Sequence, residues 1–300
     1  MSTRLGEFVE FHKYCCWNDS IVVQLKAYAD ICGLSIEQRE WLVFFYSLSY
    51  SIPTAVICLD NFNKINADPD EFWHKFKSKL VFQSDRRWVK FNNQFSKSFN
   101  DFKHKRIFEQ LRGTGAIDVG KSIAIIQSVS YYARFAAFLF LEAYCFMFQR
   151  TTANDCMDWK RGDTATSGML NAIGLDDHAN EFDRSGRLFV SEKVLDRALA
   201  YIQSRTPIGL EKSVLFIETT LCAYRKHFKG TRYVGYYVDR VQQEIDFTQK
   251  AFPMYAGLLN RIYDARISVL NPKLLGECNG WLGIRKKLLK HYLKTGDWHV

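Results

Sequence analysis

The sequence predicts a mainly α-helical protein, and three observations carry that prediction. Apolar residues recur at spacings of three and four along most of the 300 residues, while period-two alternation is scarce. Only 5 prolines and 17 glycines are scattered along the chain, too few for a turn-rich sandwich or barrel. With 47% hydrophobic and 15% aromatic residues there is ample material for a packed core, which excludes a disordered chain. The expected architecture is all-α: one compact helical domain over 1–300, with an irregular connection at 151–186 where Gly, Asp, Asn, Ser and Thr concentrate.

Taken in order, the periodicity predicts helices near 4–14, 21–32, 36–50, 53–62, 69–79, 85–111, 120–148, 190–204, 209–228, 234–249, 254–268 and 281–294. Ser35 followed by Gln38, and Asp68 before Pro69 with Glu71 three residues on, read as helix starts, because a side-chain oxygen there accepts from an otherwise unpaired backbone N–H. Gly174, Gly230 and Gly296 stand where helices are expected to end. A short helix at Ser167–Ile173 is expected inside the irregular connection.

Charge narrows the class of partner. The chain has 41 Lys+Arg against 32 Asp+Glu, a formal net charge of +9, which favours a polyanion such as nucleic acid or a phosphorylated substrate. Glu7 and Glu10 interrupt the N-terminal stretch, which therefore does not read as a secretory signal, and the expected location is cytoplasmic. Gln127, Arg134 and Glu142 break the most apolar stretch, so no membrane helix is expected. The cysteines at 15, 16, 32, 58, 145, 156, 222 and 278 form no CxxC pair or zinc spacing and read as reduced thiols, with no metal site.

Several segments carry residue types suited to chemistry. In DRRWVKFNNQFSKSFNDF, at about 100° per residue, Trp88, Phe91, Phe95, Phe99 and Phe102 fall on one helical face and Arg86, Lys90, Asn93 and Lys97 on the other. The cationic face suits either phosphate binding or plain solvation, and Asp85 suits either an N-cap or a base. Arg134 and Glu142 interrupt an apolar helix, so each needs a partner or a polar cavity if buried. GAIDVGKS at 115–122 matches the phosphate-loop pattern GxxxxGK[ST], but RIFEQLRGT before it reads as helix and turn, not as the buried strand a phosphate loop follows. VLFIE at 214–218 imitates a Walker B strand but continues with helical spacing to Leu221, Tyr224 and Phe228. SGMLNAIGLDDHA at 167–179 loosely matches a helix-hairpin-helix turn. GTRYVGYYVDR combines Arg232, Tyr233, Tyr236, Tyr237 and Arg240, types that stack on bases and pair with phosphates and that equally build cores. The C-terminal WLGIRKKLLKHYLKTGDW is amphipathic and basic, suited to solvent or to a DNA backbone.

Four blocks in order, WLVFFYSLSYSIPTA (41–55), FQSDRRWVKFNNQF (82–95), ARFAAFLFLEAY (133–144) and DWKRGDTATSGMLNAIG (158–174), resemble the bacteriophage amino acid:DNA transferases, or α-glutamyl/putrescinyl thymine pyrophosphorylases, of thymidine hypermodification. The resemblance covers most of the chain. It departs at Ala133, where relatives tend to carry Gly, and at Ala165, Thr166 and Ser167, where they tend to carry a His-Arg-Asn stretch.

The resemblance implies a fold related to helical DNA glycosylases and a transferase acting in the host cytoplasm during phage infection. Its partner would be double-stranded phage DNA carrying 5-hydroxymethyluracil activated as the pyrophosphate ester. A small amine, an amino acid such as glycine or a polyamine, would displace pyrophosphate at the 5-methylene carbon. No cofactor is expected beyond Mg²⁺ arriving with the pyrophosphate. In this reading Arg86, Arg87, Lys90 and Arg134 bind phosphate or pyrophosphate. Asp85 or Glu142 takes the amine proton, and Tyr50, Thr54, Asn93, Gln94, Ser167 and Asn171 contact the base or DNA. The alternatives are a P-loop NTP-dependent phosphotransferase built on GAIDVGKS and a glycosylase-like DNA-binding protein.

Overall fold

A computed structural model describes residues 20–83, 94–153, 161–162, 164–173, 181–182, 188–189, 196, 200, 214–228, 236–270 and 294–295. It is mainly helical, with thirteen α-helices among the described residues. Contacts divide the chain into two units, one of them comprising Ile21–Asp155 and Arg240–Val269 and the other including Cys156–Asp239. The first break falls just inside the connection expected at 151–186.

The first unit is built from α1 (Ser20–Ile31), α2 (Ile36–Ser49), α3 (Ile52–Asp60), α4 (Phe62–Ala67) and α5 (Pro69–Phe76), then α6 (Gln94–His104), α7 (Ile107–Leu111), α8 (Val119–Gln127) and α9 (Arg134–Met147). It is completed by α12 (Tyr236–Ala251) from Arg240 onward and by α13 (Ala256–Val269). A minimal parallel pair joins β1 (Ile117–Asp118) to β2 (Thr152–Ala153), with Ile117 opposite Thr152. The expected caps form: Ser35 and Gln38 make a reciprocal capping box on α2, and Asp68 accepts from the backbone N–H of Asp70 and of Glu71 at 3.0 Å each.

Helix α2 sits at the centre of this unit, packing on α3 and α9, with every residue from Glu40 to Ser49 buried. Its one charge there is neutralised by a fork: Arg112 donates from Nε at 2.8 Å and from its terminal nitrogen to the two oxygens of Glu40. Around α2 the core is aromatic. Trp41 lies 5.0 Å from Phe99 and 4.9 Å from Phe62, Phe44 lies 4.5 Å from Phe102, and Phe95 stacks on Trp73 at 4.7 Å. The apolar stripe read from the sequence is thus confirmed at Phe95, Phe99 and Phe102, and Lys97 on the opposite face is exposed. Trp88 and Phe91 lie outside the described residues.

Two long predicted helices are broken in the structure. The helix expected at 85–111 divides between α6 and α7 at Arg106, which takes the left-handed conformation at φ 51°. The helix expected at 120–148 divides between α8 and α9, where Tyr131 sits at φ 65°. Neither position is Gly or Asn, the usual residues there.

In the other unit, α10 (Thr164–Ile173) packs on α11 (Val214–Phe228), and three short strands, β3 (Arg161–Gly162), β4 (Glu181–Phe182) and β5 (Leu188–Phe189), form an antiparallel sheet in the order β3-β5-β4. Gly168 lets the two helices approach, because a Cβ there would collide with the backbone carbonyl of Leu221. VLFIE is helical, as its spacing required.

Candidate functional site

The most chemically distinctive group among the described residues is a buried carboxylate on α12. Asp246 and Gln242 point toward α13: the Gln242 amide donates to Asp246 at 2.9 Å, the Tyr263 hydroxyl donates to Asp246 at 2.7 Å, and the guanidinium of Arg266, 2% exposed, donates to Gln242. These bonds fix the roll of α12. Residues two positions away on a helix lie about 200° round the axis, so Arg240 and Glu244 project from the other side.

There Arg240 donates from Nε to Glu244 Oε1 at 3.1 Å, and the side-chain amide of Gln83 donates to the same oxygen. The Ser51 hydroxyl is buried beside this carboxylate without a hydrogen-bond partner of its own among the described residues. Glu244 is 5% exposed, and burial pushes its carboxyl up to about 7 against the opposing pull of Ser51, Arg240 and Gln83. The Gln83 backbone N–H donates to Ser49 O at 3.1 Å, which holds this residue against the α2–α3 junction.

The junction itself is tightly specified. Tyr50 ends α2 at φ 54°, its ring 8% exposed and in edge contact with Tyr46 and with Phe135 of α9 at 6.1 Å. The Thr54 hydroxyl, read from the sequence as a base or DNA contact, is engaged by the backbone of Val81. It donates to Val81 O at 2.7 Å and accepts from Val81 N at 3.0 Å, so the hydroxyl ties α3 to the 81–83 strand of chain.

The other sequence candidates are distributed as follows. Asp85, Arg86, Arg87, Lys90 and Asn93 lie outside the described residues. Gln94 begins α6 half-buried, and its Oε1 is buried without a hydrogen-bond partner among the described residues. Arg134 is not a buried interruption of an apolar helix: because the chain turns at Tyr131, α9 begins at Arg134 and the side chain is exposed. Glu142 is buried, 1% exposed, in the middle of α9. Ser167 and Asn171 are half-buried on α10, in the other unit. Arg240, read from the sequence as a phosphate or base contact, is committed to Glu244.

GAIDVGKS does not build a phosphate loop. Its strand, Ile117–Asp118, lies inside the motif, and helix α7 precedes it. Asp118 caps α8 by accepting from Lys121 N at 2.9 Å, which places a carboxylate where a phosphate would sit. Lys121 extends into solvent, its side chain 83% exposed.

Among the described residues no three His, Cys, Asp or Glu side chains gather to hold a metal ion, and no helix is long and apolar enough to cross a membrane. None of the described cysteines Cys32, Cys58, Cys145 and Cys222 forms a disulfide. The segments 174–180 and 230–235 and the basic stretch 281–293, with the glycines expected to end helices, lie outside the described residues. Neither Glu244 nor Gln83 stood out in the sequence, where QQEIDF reads as the polar face of an ordinary amphipathic helix. No protein-family model matches this chain, and no curated protein matches it.

Proposed function

We propose that this protein is a DNA base-hypermodifying transferase, with a glycosylase-like helical fold, acting on phage DNA in the host cytoplasm. The observation that carries the reading is the convergence on Glu244. Ser51 comes from the first sequence block that resembles the amino acid:DNA transferases and Gln83 from the second; Gln83 donates to one buried carboxyl group poised near neutral pH, and Ser51 lies beside it.

The chemistry asks for such a group. An amine attacks the 5-methylene carbon of the activated base only through its free lone pair, so a proton must leave nitrogen. The new C–N bond forms as the C–O bond to pyrophosphate breaks, pyrophosphate departs with its electron pair, and the amine proton passes to a base. A base whose pKa lies near the working pH does this best and contributes on the order of 10²- to 10⁴-fold. Glu244 meets that condition, and we assign it the role that the sequence offers to Asp85 or Glu142. The cations of 84–93, which follow directly after Gln83, supply positive charge for the departing pyrophosphate. The unmet acceptor of Gln94 suits the imide N–H of a pyrimidine extruded from the duplex.

The test is to incubate the protein with DNA bearing pyrophosphorylated hydroxymethyluracil and a panel of amino acids and polyamines, then digest to nucleosides for mass spectrometry. A new aminated nucleoside together with released pyrophosphate is the expected result. Intact substrate with every amine overturns the reading.

A further inference from the structure

The loop between α8 and α9 holds an aromatic side chain outward by unusual means. Four interactions fix its neighbours. Lys105 donates to Ser128 O, Asp101 accepts from Ser130 N at 2.8 Å, Ser98 donates to Ser130 O at 2.8 Å, and the Tyr132 hydroxyl lies 2.6 Å from that of Ser47. Tyr132 is buried, 2% exposed. Tyr131, between these anchored residues, is forced to φ 65° with its ring 40% exposed. A non-glycine residue in that conformation is strained and persists only where its surroundings over-determine it.

A second exposed ring follows four residues later. Phe135, in the first turn of α9, is 45% exposed while its other edge meets Tyr50, itself left-handed at φ 54°. Lys97 lies 5.8 Å from the centre of the Tyr131 ring, and Arg134, between the two aromatics in sequence, is exposed. Lys105 anchors the loop from its other end, and the nearby carboxylate, Asp101, is already engaged by Ser130 and by Lys105 at 3.8 Å.

Rigid exposed rings interleaved with cations match the chemistry of an unpaired nucleic-acid strand, whose bases stack on aromatics and whose phosphates attract Lys and Arg. A protein partner fits less well, since the exposed cations Lys97 and Arg134 accompany the two rings and the chain carries a net charge of +9. We infer that Tyr131 and Phe135, with Lys97 and Arg134, form a stacking surface for unpaired bases of a DNA strand. This surface takes the same DNA substrate as the proposed function and to that extent rests on it, but its residues are separate from the Glu244 cluster.

The experiment is fluorescence anisotropy of the full chain with one labelled DNA sequence presented as single strand, as fully paired duplex and as duplex with a central mismatch. Tyr131→Asn keeps a residue tolerant of the left-handed backbone while removing the ring. Combined with Phe135→Ala, it is expected to weaken binding to single-stranded and mismatched DNA by about 10- to 100-fold, with a smaller loss on paired duplex. Tyr131→Phe, which keeps the ring, is expected to bind as wild type. Phe247→Ala, removing a ring 55% exposed on α12, serves as the control and is expected to change nothing. Undiminished binding of the double variant to single-stranded DNA overturns the inference. An equal loss on all three DNAs also overturns it, since backbone contact alone would account for that. A protein that binds unpaired DNA through these rings yet yields no aminated nucleoside loses only the transferase reading, and the converse result loses only this one.

Discussion

Arg240 and Glu244 stand one helical turn apart on α12, joined through Nε and Oε1 at 3.1 Å, yet the carboxyl of Glu244 sits near 7. An adjacent guanidinium ordinarily draws a carboxylate well down, so burial outweighs the pairing here. That imbalance has a consequence for stability. A carboxyl raised from 4.5 when unfolded to about 7 when folded makes the native state bind more protons between those values. Its contribution is fully present below the unfolded value and is lost as pH rises through the folded one.

Urea unfolding of wild type and Glu244→Gln at about pH 5 and about pH 8 is expected to show this directly, with wild type losing about 2 to 3 kcal/mol relative to the variant across the window. Other carboxylates cancel in the comparison. Asp101, for example, is raised by burial but lowered further by Ser130, and it is common to both proteins. A stability difference that does not change with pH would mean that Glu244 is ionised throughout.

Thr54→Val keeps the shape of the side chain and removes the hydroxyl that serves Val81 as both acceptor and donor. The loss leaves a backbone N–H and a carbonyl unpaired in a part-buried site, and a cost of about 1 to 3 kcal/mol is expected in denaturant unfolding. Thr54→Ser should restore most of it. Any loss of turnover in Thr54→Val should therefore be recovered in Thr54→Ser, because the hydroxyl acts on the chain and not on substrate.

Gly168→Ala tests the packing of α10 on α11. The added methyl group has nowhere to go without moving the Leu221 carbonyl, and overpacking of this kind costs about 1 to 3 kcal/mol. An unchanged melting temperature would show that the two helices are further apart than described.

Local chemistry was the legible part of this fold. Ser35 with Gln38 and Asp68 with Pro69 and Glu71 announce helix starts because the capping groups lie within a turn of the backbone they satisfy. Phe95, Phe99 and Phe102 announce a buried face because helix periodicity places them together. The breaks at Arg106 and Tyr131 were not legible, since no glycine or proline marks them and the left-handed turns are imposed by surrounding contacts. The site was hidden for a related reason. Glu244 becomes a buried, poised carboxyl only when Gln83, 161 residues earlier, and Ser51 are folded against it. Arg134 erred in the opposite direction: its apolar surroundings in sequence suggested burial, but the helix begins at that residue.

The most direct measurement of the account is the pH dependence of amine transfer to DNA bearing pyrophosphorylated hydroxymethyluracil, at saturating amine, in wild type and in Glu244→Gln. The wild-type rate is expected to rise through an inflection near the Glu244 value of about 7. The variant is expected to be slower by on the order of 10²- to 10⁴-fold and to lack this inflection while still binding the DNA. Equal rates in the two proteins, with the same inflection in both, would contradict it.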